Sequence, residues 1–329
     1  MIKRVLIYNS GGGIGDSIQL LPLINTLRSK LKNTKFYYLS AHQNHFDSTL
    51  KDFNCKIATL DLNIKYFGFR WWHLFHVNKN IKKNNIDFFD LIIDLQTKIR
   101  NTVILKMIPH KSFISASFNY MLSNPNIKVK KSKKITNTIL DVINILLKEK
   151  YSMKEFNINE IDKKFFIESE RLLPKNNYIG FSITQGNVYR KKEWPLDKII
   201  KISEQLVKNN KIPVFLIEKK YSELKNKIKN SIPSALFPEH ESNLNSPALV
   251  TCLGKRLDLA ITIDNGIMHM LSLSNVPMIS LFGPTDSEKF APEYKNSLVL
   301  DSKKLYGSKD VSSITVEDVL LAAKQFVNF

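Results

Sequence analysis

The sequence predicts an α/β protein of two Rossmann-like domains, each with a parallel sheet, facing one another across a cleft. Size and composition are the first ground. The 329 residues are 43% hydrophobic and 24% charged, a globular composition with room for about two domains of roughly 150 residues. The second ground is a strand-then-helix alternation that occurs twice, which argues for parallel sheets covered on both faces. The third is a charged stretch over residues 157–177 ending in Leu173-Pro-Lys-Asn-Asn177, a suitable linker. The expected domains are residues 1–172 and 173–314.

The elements follow in order. Residues 4–8 form a short apolar run of strand formers, followed by Gly11-Gly-Gly-Ile-Gly15. A helical stripe then places Ile18, Leu21, Ile24, Leu27 and Leu31 on one face. Strands are expected at 36–39, 56–60, 89–95 and 112–115, with helices around 79–85 and 136–148. The second run predicts strands at 178–183, 213–217, 235–237, 259–263, 277–282 and 297–300. Thr315 with Asp318 three residues on makes a loose capping box for a last amphipathic helix, 315–329.

The formal net charge is +19, from 49 Lys and Arg against 30 Asp and Glu. Such an excess suits an anionic partner, or else drift of a lysine-, asparagine- and isoleucine-rich composition. No zinc finger, KH loop or aromatic RNP signature is present, so nucleic acid is not an expected partner. Cys55 and Cys252 are too few for a disulfide framework and suggest a reducing compartment. No run approaches 18 apolar residues and no leader pattern opens the chain, so a soluble, cytoplasmic protein is expected.

Three clusters could carry chemistry. At the glycine turn, G-x-G-x-x-G fits neither register: its last position falls on Asp16 or Ile18, which argues against a dinucleotide site. Asp16 is then either a first-turn residue complementing the helix dipole or a carboxylate held as a general base. The second cluster runs from Ser182 through Thr184 and Gly186 to Arg190-Lys-Lys192-Glu-Trp194-Pro195. Its cations are either solvated surface or the counter-charge of a diphosphate. The third pairs Asp264-Asn265-Gly266-Ile-Met-His269 with Gly283-Pro284-Thr285-Asp286. Each follows a buried-looking strand. Cap and ordinary helical histidine is one reading, and two loops side by side at a nucleotide is the other. His42-x-x-His45 and His73-x-x-His76 have a spacing that two metal ligands on one helix face could use, but no third ligand pattern accompanies them. The aromatic stretch 66–76 reads as core packing or as a loop facing a membrane or an acceptor.

Taken together, Gly15-Asp16 with Leu21-Pro22, Leu91-Ile-Ile-Asp94-Leu-Gln96, Lys192-Glu-Trp194-Pro195, Asp264-Asn-Gly-Ile-Met-His269 and Leu281-Phe-Gly-Pro-Thr-Asp286 resemble the lipopolysaccharide heptosyltransferases of glycosyltransferase family nine. Three departures stand out: Asn265 where that family usually has Thr, a more glycine-rich turn before Asp16, and a different loop length before Trp194. The resemblance implies a GT-B fold, with the first domain on the acceptor side, residues 173–314 holding the donor, and the helix over 315–329 packing back on the first domain. It implies inverting transfer of a sugar, heptose from ADP-heptose, to a lipopolysaccharide-core or related glycan. Asp16 would be the base and Lys192 the partner of the donor diphosphate. Thr184, Asp264, Asn265, Gly266, His269, Gly283, Pro284 and Thr285 would meet the donor, and Gly15, Gln96 and Arg100 an anionic acceptor. No cofactor or catalytic metal is expected, and peripheral contact with the inner membrane would give the positive charge a purpose. A sugar-nucleotide epimerase of the same fold and a non-catalytic nucleotide or glycan binder are the alternatives.

Overall fold

The computed structural model describes residues 2–40, 43–62, 69–83, 86–186 and 188–328. Ten strands form two five-stranded parallel sheets. The first comprises β1 (Arg4–Asn9), β2 (Lys35–Ser40), β3 (Ala58–Thr59), β4 (Phe89–Asp94) and β5 (His110–Ser115), in the order β3-β2-β1-β4-β5. The second comprises β6 (Tyr178–Ser182), β7 (Ile212–Phe215), β8 (Leu259–Ile263), β9 (Met278–Phe282) and β10 (Ser297–Asp301), in the order β10-β9-β8-β6-β7. β6, β8 and β9 are buried along their whole length, which is why they read as unbroken apolar runs rather than alternating ones.

In both sheets the chain winds outward one way from the first strand and then returns to wind the other way. The reversal falls between β1 and β4 in one sheet and between β6 and β8 in the other. Crevices at such reversals are where open α/β sheets bind ligands.

Two compact units result, residues 1–156 and 157–329. The division lies before the expected 172/173, because the helix Lys163–Leu172 packs on the helix Pro247–Gly254 and buries Phe165, Ser169 and Leu172 there. The last helix also departs from expectation. Val316–Ala323 lies against the helix Leu196–Lys208 and strands β9 and β10, and its Val316, Val319, Ala322 and Ala323 complete the second unit's own core. An amphipathic pattern shows that one face must be covered, but not by which neighbour. Thr315 does cap this helix, accepting from the Asp318 amide at 3.0 Å while Asp318 accepts from the Thr315 amide at 2.8 Å. Residues 235–237, expected as a strand, contribute only an isolated bridge between Leu236 and Val214.

Candidate active site

In the first unit, Asn9 ends β1 and the chain turns through the glycines into the short helix Ile14–Ile18. Asp16 is the third residue of that helix, and its Oδ2 accepts from the Gly13 amide at 3.3 Å. The carboxylate folds back over the turn so closely that a Cβ on Gly11 would lie 2.7 Å from Asp16 Cγ. That contact accounts for the extra glycine: a side chain there would push the acid away.

A hydrogen-bonded frame holds the turn from beneath. Asn9 Oδ1 accepts from the Gly11 amide at 3.0 Å and from Gln96 Nε2 at 2.8 Å, while Gln96 Oε1 accepts from Ser10 Oγ at 2.7 Å. Asn9 Nδ2 donates to the Asp16 carbonyl at 3.4 Å. Gln96, expected at the acceptor, spends its amide bracing the Asp16 turn. Gln96 is itself fixed by Asp94, which ends β4 fully buried. Asp94 accepts from the Gln96 amide (2.9 Å), Thr102 Oγ1 (2.7 Å) and Ser115 Oγ (2.8 Å). Thr102 Oγ1 in turn lies 2.6 Å from Ser117 Oγ. Burial pushes the Asp94 carboxyl up to about 6, against those stabilising hydrogen bonds. Asp94 and Gln96, at the end of an apolar strand, were the sequence signals for this frame; Asn9, Thr102, Ser115 and Ser117 carried none.

Gly15 lies in the same turn, its carbonyl accepting from the Gln19 amide at 3.1 Å. Arg100 is half-buried on the helix Ile99–Leu105, and its charge is felt by Tyr8 and by His73. His73 is held below the usual imidazole range by burial, with the charges of His76, Arg70 and Arg100 adding to it. Its Nδ1 accepts from the Arg70 amide at 2.9 Å, so that nitrogen is occupied. Among the described residues no three His, Cys, Asp or Glu side chains gather as a metal site. His42 and residues 66–68 lie outside the described residues.

In the second unit the loops after β6, β8 and β9 lie side by side. Lys192 Nζ donates to Asp264 Oδ2 at 2.5 Å and to the Asp264 carbonyl at 3.2 Å, with both side chains about nine-tenths buried. The Lys192 amide donates to Gln185 Oε1 at 2.8 Å, which anchors the loop from its other end. Asn265 is the N-cap of the helix Gly266–Ser272, its Oδ1 accepting from the Met268 amide at 2.9 Å. Its Nδ2 donates to Ser182 Oγ at 2.6 Å and to the Thr184 carbonyl at 2.9 Å, tying β8 to β6. Gly266 opens that helix and His269 is buried within it.

The loop after β9 is held differently. Lys303 Nζ donates to the carbonyls of Pro284 (3.2 Å) and Thr285 (3.0 Å). A Cβ on Gly283 would meet the Val311 amide nitrogen at 2.7 Å and the Lys309 carbonyl at 2.9 Å. Gly283 is therefore required by the backbone passing over it. Trp194 is structural too: its indole N–H donates to the Ile314 carbonyl at 3.0 Å, and Lys198 Nζ reaches the same carbonyl at 2.9 Å. The expected residues thus assemble as one group around Asp16 and another around Lys192 and Asp264, each at its own sheet's reversal.

The model of glycosyltransferase family 9 (heptosyltransferase) matches residues 75–320, most of the chain. The chain belongs to that family.

Lipopolysaccharide heptosyltransferase 1 of Campylobacter coli is 22% identical over 267 residues, covering 74% of this chain and 77% of that one. Among solved structures, a family 9 glycosyltransferase from Veillonella parvula superposes with a TM-score of 0.71 at 17% identity, covering 98% of this chain and 97% of that chain. The E. coli heptosyltransferase WaaC with ADP gives 0.67 at 14% identity, with the same coverage. The fold is GT-B, and the protein is a heptosyltransferase-like glycosyltransferase.

Proposed function

We propose that this family 9 glycosyltransferase transfers heptose, with inversion, from ADP-heptose to a lipopolysaccharide-core or related glycan acceptor at the cytoplasmic face of the inner membrane. The observation that carries the proposal is that each sheet brings charged groups to its own reversal, Asp16 in one unit and the buried Lys192–Asp264 pair in the other. The ADP of the E. coli relative suits the same diphosphate chemistry.

In the proposed reaction the acceptor hydroxyl attacks the anomeric carbon as the bond from that carbon to the diphosphate oxygen breaks. The hydroxyl proton passes to the Asp16 carboxylate. Negative charge grows on the departing diphosphate, and Lys192 with backbone amides near Gly266 balances it, worth roughly 2–4 kcal/mol per well-placed donor. Lys192 can turn from Asp264 to the phosphates without a proton leaving the site. Arg100 and its neighbours would meet the acceptor's anionic groups. With a protein cation doing this work, transfer should persist in excess chelator.

The test compares Asp16→Asn with wild type using ADP-heptose and a core acceptor. Turnover should fall about 10²–10⁴-fold while donor affinity barely moves. A near-wild-type rate would remove Asp16 from the mechanism. A screen of nucleotide sugars by mass spectrometry tests the donor independently.

A further inference from the structure

The positive charge of this chain is not evenly spread. Residues 1–156 carry 25 Lys and Arg against 10 Asp and Glu, whereas residues 157–329 carry 24 against 20. Drift of composition would charge both units alike. The excess is concentrated further still. Neither residues 62–86 nor 95–140 contain a single acid, and together they hold 14 Lys and Arg.

The same stretches hold most of the first unit's exposed apolar surface. Of its nine exposed large apolar side chains among the described residues, seven lie on three contiguous pieces. The helix His73–Lys83 packs on the helix Ile99–Leu105, which packs on the turn Ser117–Tyr120. On the first helix His73, Val77 and Ile81 face inward, and Phe75, His76, Lys79, Lys82 and Lys83 are exposed at helical spacing. Trp71 and Trp72, both exposed, just precede it, and Phe75 is 81% exposed. Ile99 and Val103 are exposed on the second helix. At the turn, Phe118, Asn119 and Tyr120 take left-handed backbone, unusual for consecutive non-glycine residues, and Phe118 and Met121 are left exposed. Exposed Lys128, Lys130 and Lys131 follow within ten residues.

Aromatic and aliphatic side chains standing out beside acid-free lysine clusters match a bilayer surface, where tryptophan prefers the headgroup level and lysine meets anionic lipid. We infer that the outer face of the helices His73–Lys83 and Ile99–Leu105, with the turn Ser117–Tyr120 and the lysines after it, docks peripherally on an anionic lipid bilayer. The same helix and turn bury Thr102 and Ser117 against the frame beneath Asp16 while leaving Ile99, Val103 and Phe118 exposed, and docking does not depend on which sugar is transferred.

The experiment floats the full chain with vesicles of phosphatidylcholine, alone or mixed with phosphatidylglycerol, at low and high salt. Wild type should float with the anionic vesicles only and be released by high salt. The variants W71A/W72A/F75A and K128E/K130E/K131E should each lose at least about tenfold in partitioning, at about fivefold per lysine near such a surface. K208E/K227E/K255E, the same charge change on exposed positions of the second unit, should float like wild type. Equal flotation with neutral vesicles, wild-type flotation of both first-unit variants, or an equal loss in the second-unit control overturns the inference. So does a wild-type dimer that W71A/W72A/F75A converts to monomer, since a second copy then covers the face. Transfer to a soluble acceptor is read separately, so a failed transferase assignment leaves the flotation result standing.

Discussion

Lys192 and Asp264 form a nearly dry ion pair, and removing one partner of such a pair typically costs 3–5 kcal/mol because the other charge is left buried. Lys192→Ala should therefore lower the melting temperature as well as weaken donor binding and slow transfer. Adding Asp264→Asn removes the stranded charge. The double variant should recover most of the melting temperature while donor binding stays weak, as calorimetry and nucleotide titration together would report. Recovery of donor binding alongside stability would show that Lys192 acts only through the fold. Asp94 makes a different prediction. Its carboxyl is raised from 3.8 to about 6 on folding, so the folded state holds the proton more tightly. Stability is then highest below pH 4 as far as this group is concerned, and about 3 kcal/mol is lost as pH rises to 6 and beyond. Asp94→Asn should flatten that part of the melting-temperature profile. Asp94→Ala instead leaves Thr102, Ser115 and the Gln96 amide without their acceptor, and should destabilise at every pH and loosen the turn carrying Asp16.

Elements in this chain are joined by small polar ties as much as by apolar packing. The last helix is an example. Its cap is reciprocal between Thr315 and Asp318, and its inner face completes the core of the second unit. Thr315→Ala should cost about 1 kcal/mol, visible as a lower denaturation midpoint of the second unit with no change in donor affinity. Asn265 plays a comparable part, capping one helix while holding β8 to the end of β6. A threonine at this position would have one hydroxyl hydrogen, and could not accept from Met268 while donating to both Ser182 and the Thr184 carbonyl as Asn265 does.

At the scale of the whole molecule, each unit has its own sheet and core, and the second contains both the Lys192–Asp264 pair and the helix that closes its apolar face. A fragment of residues 157–329 should therefore fold and bind a nucleoside diphosphate by itself. A fragment ending at 314 should not fold, because Val316, Val319, Ala322 and Ala323 would be missing from the core. Circular dichroism and titration with ADP read both outcomes. Nucleotide binding confined to residues 1–156 would reverse the proposed division of labour.

What the sequence determined by itself was set by local patterns. Apolar runs of four to six residues between helical stripes predict the strands, because a strand buried on both faces has no room for alternation. The turn after β1 and the loops after β6, β8 and β9 were legible for a similar reason: glycine, aspartate and asparagine cluster where strands end in tight loops. Only the tertiary structure decided what each of those residues touches. Gln96 braces Asn9 and Ser10 across 86 or 87 positions of chain, and Gly283 yields to the backbone at 309–311. The helix Lys163–Leu172 and the last helix were placed with the second unit by the same kind of long-range choice. Periodicity tells a helix which of its faces to bury; the partner is chosen by whichever apolar surface the assembled sheet still leaves open.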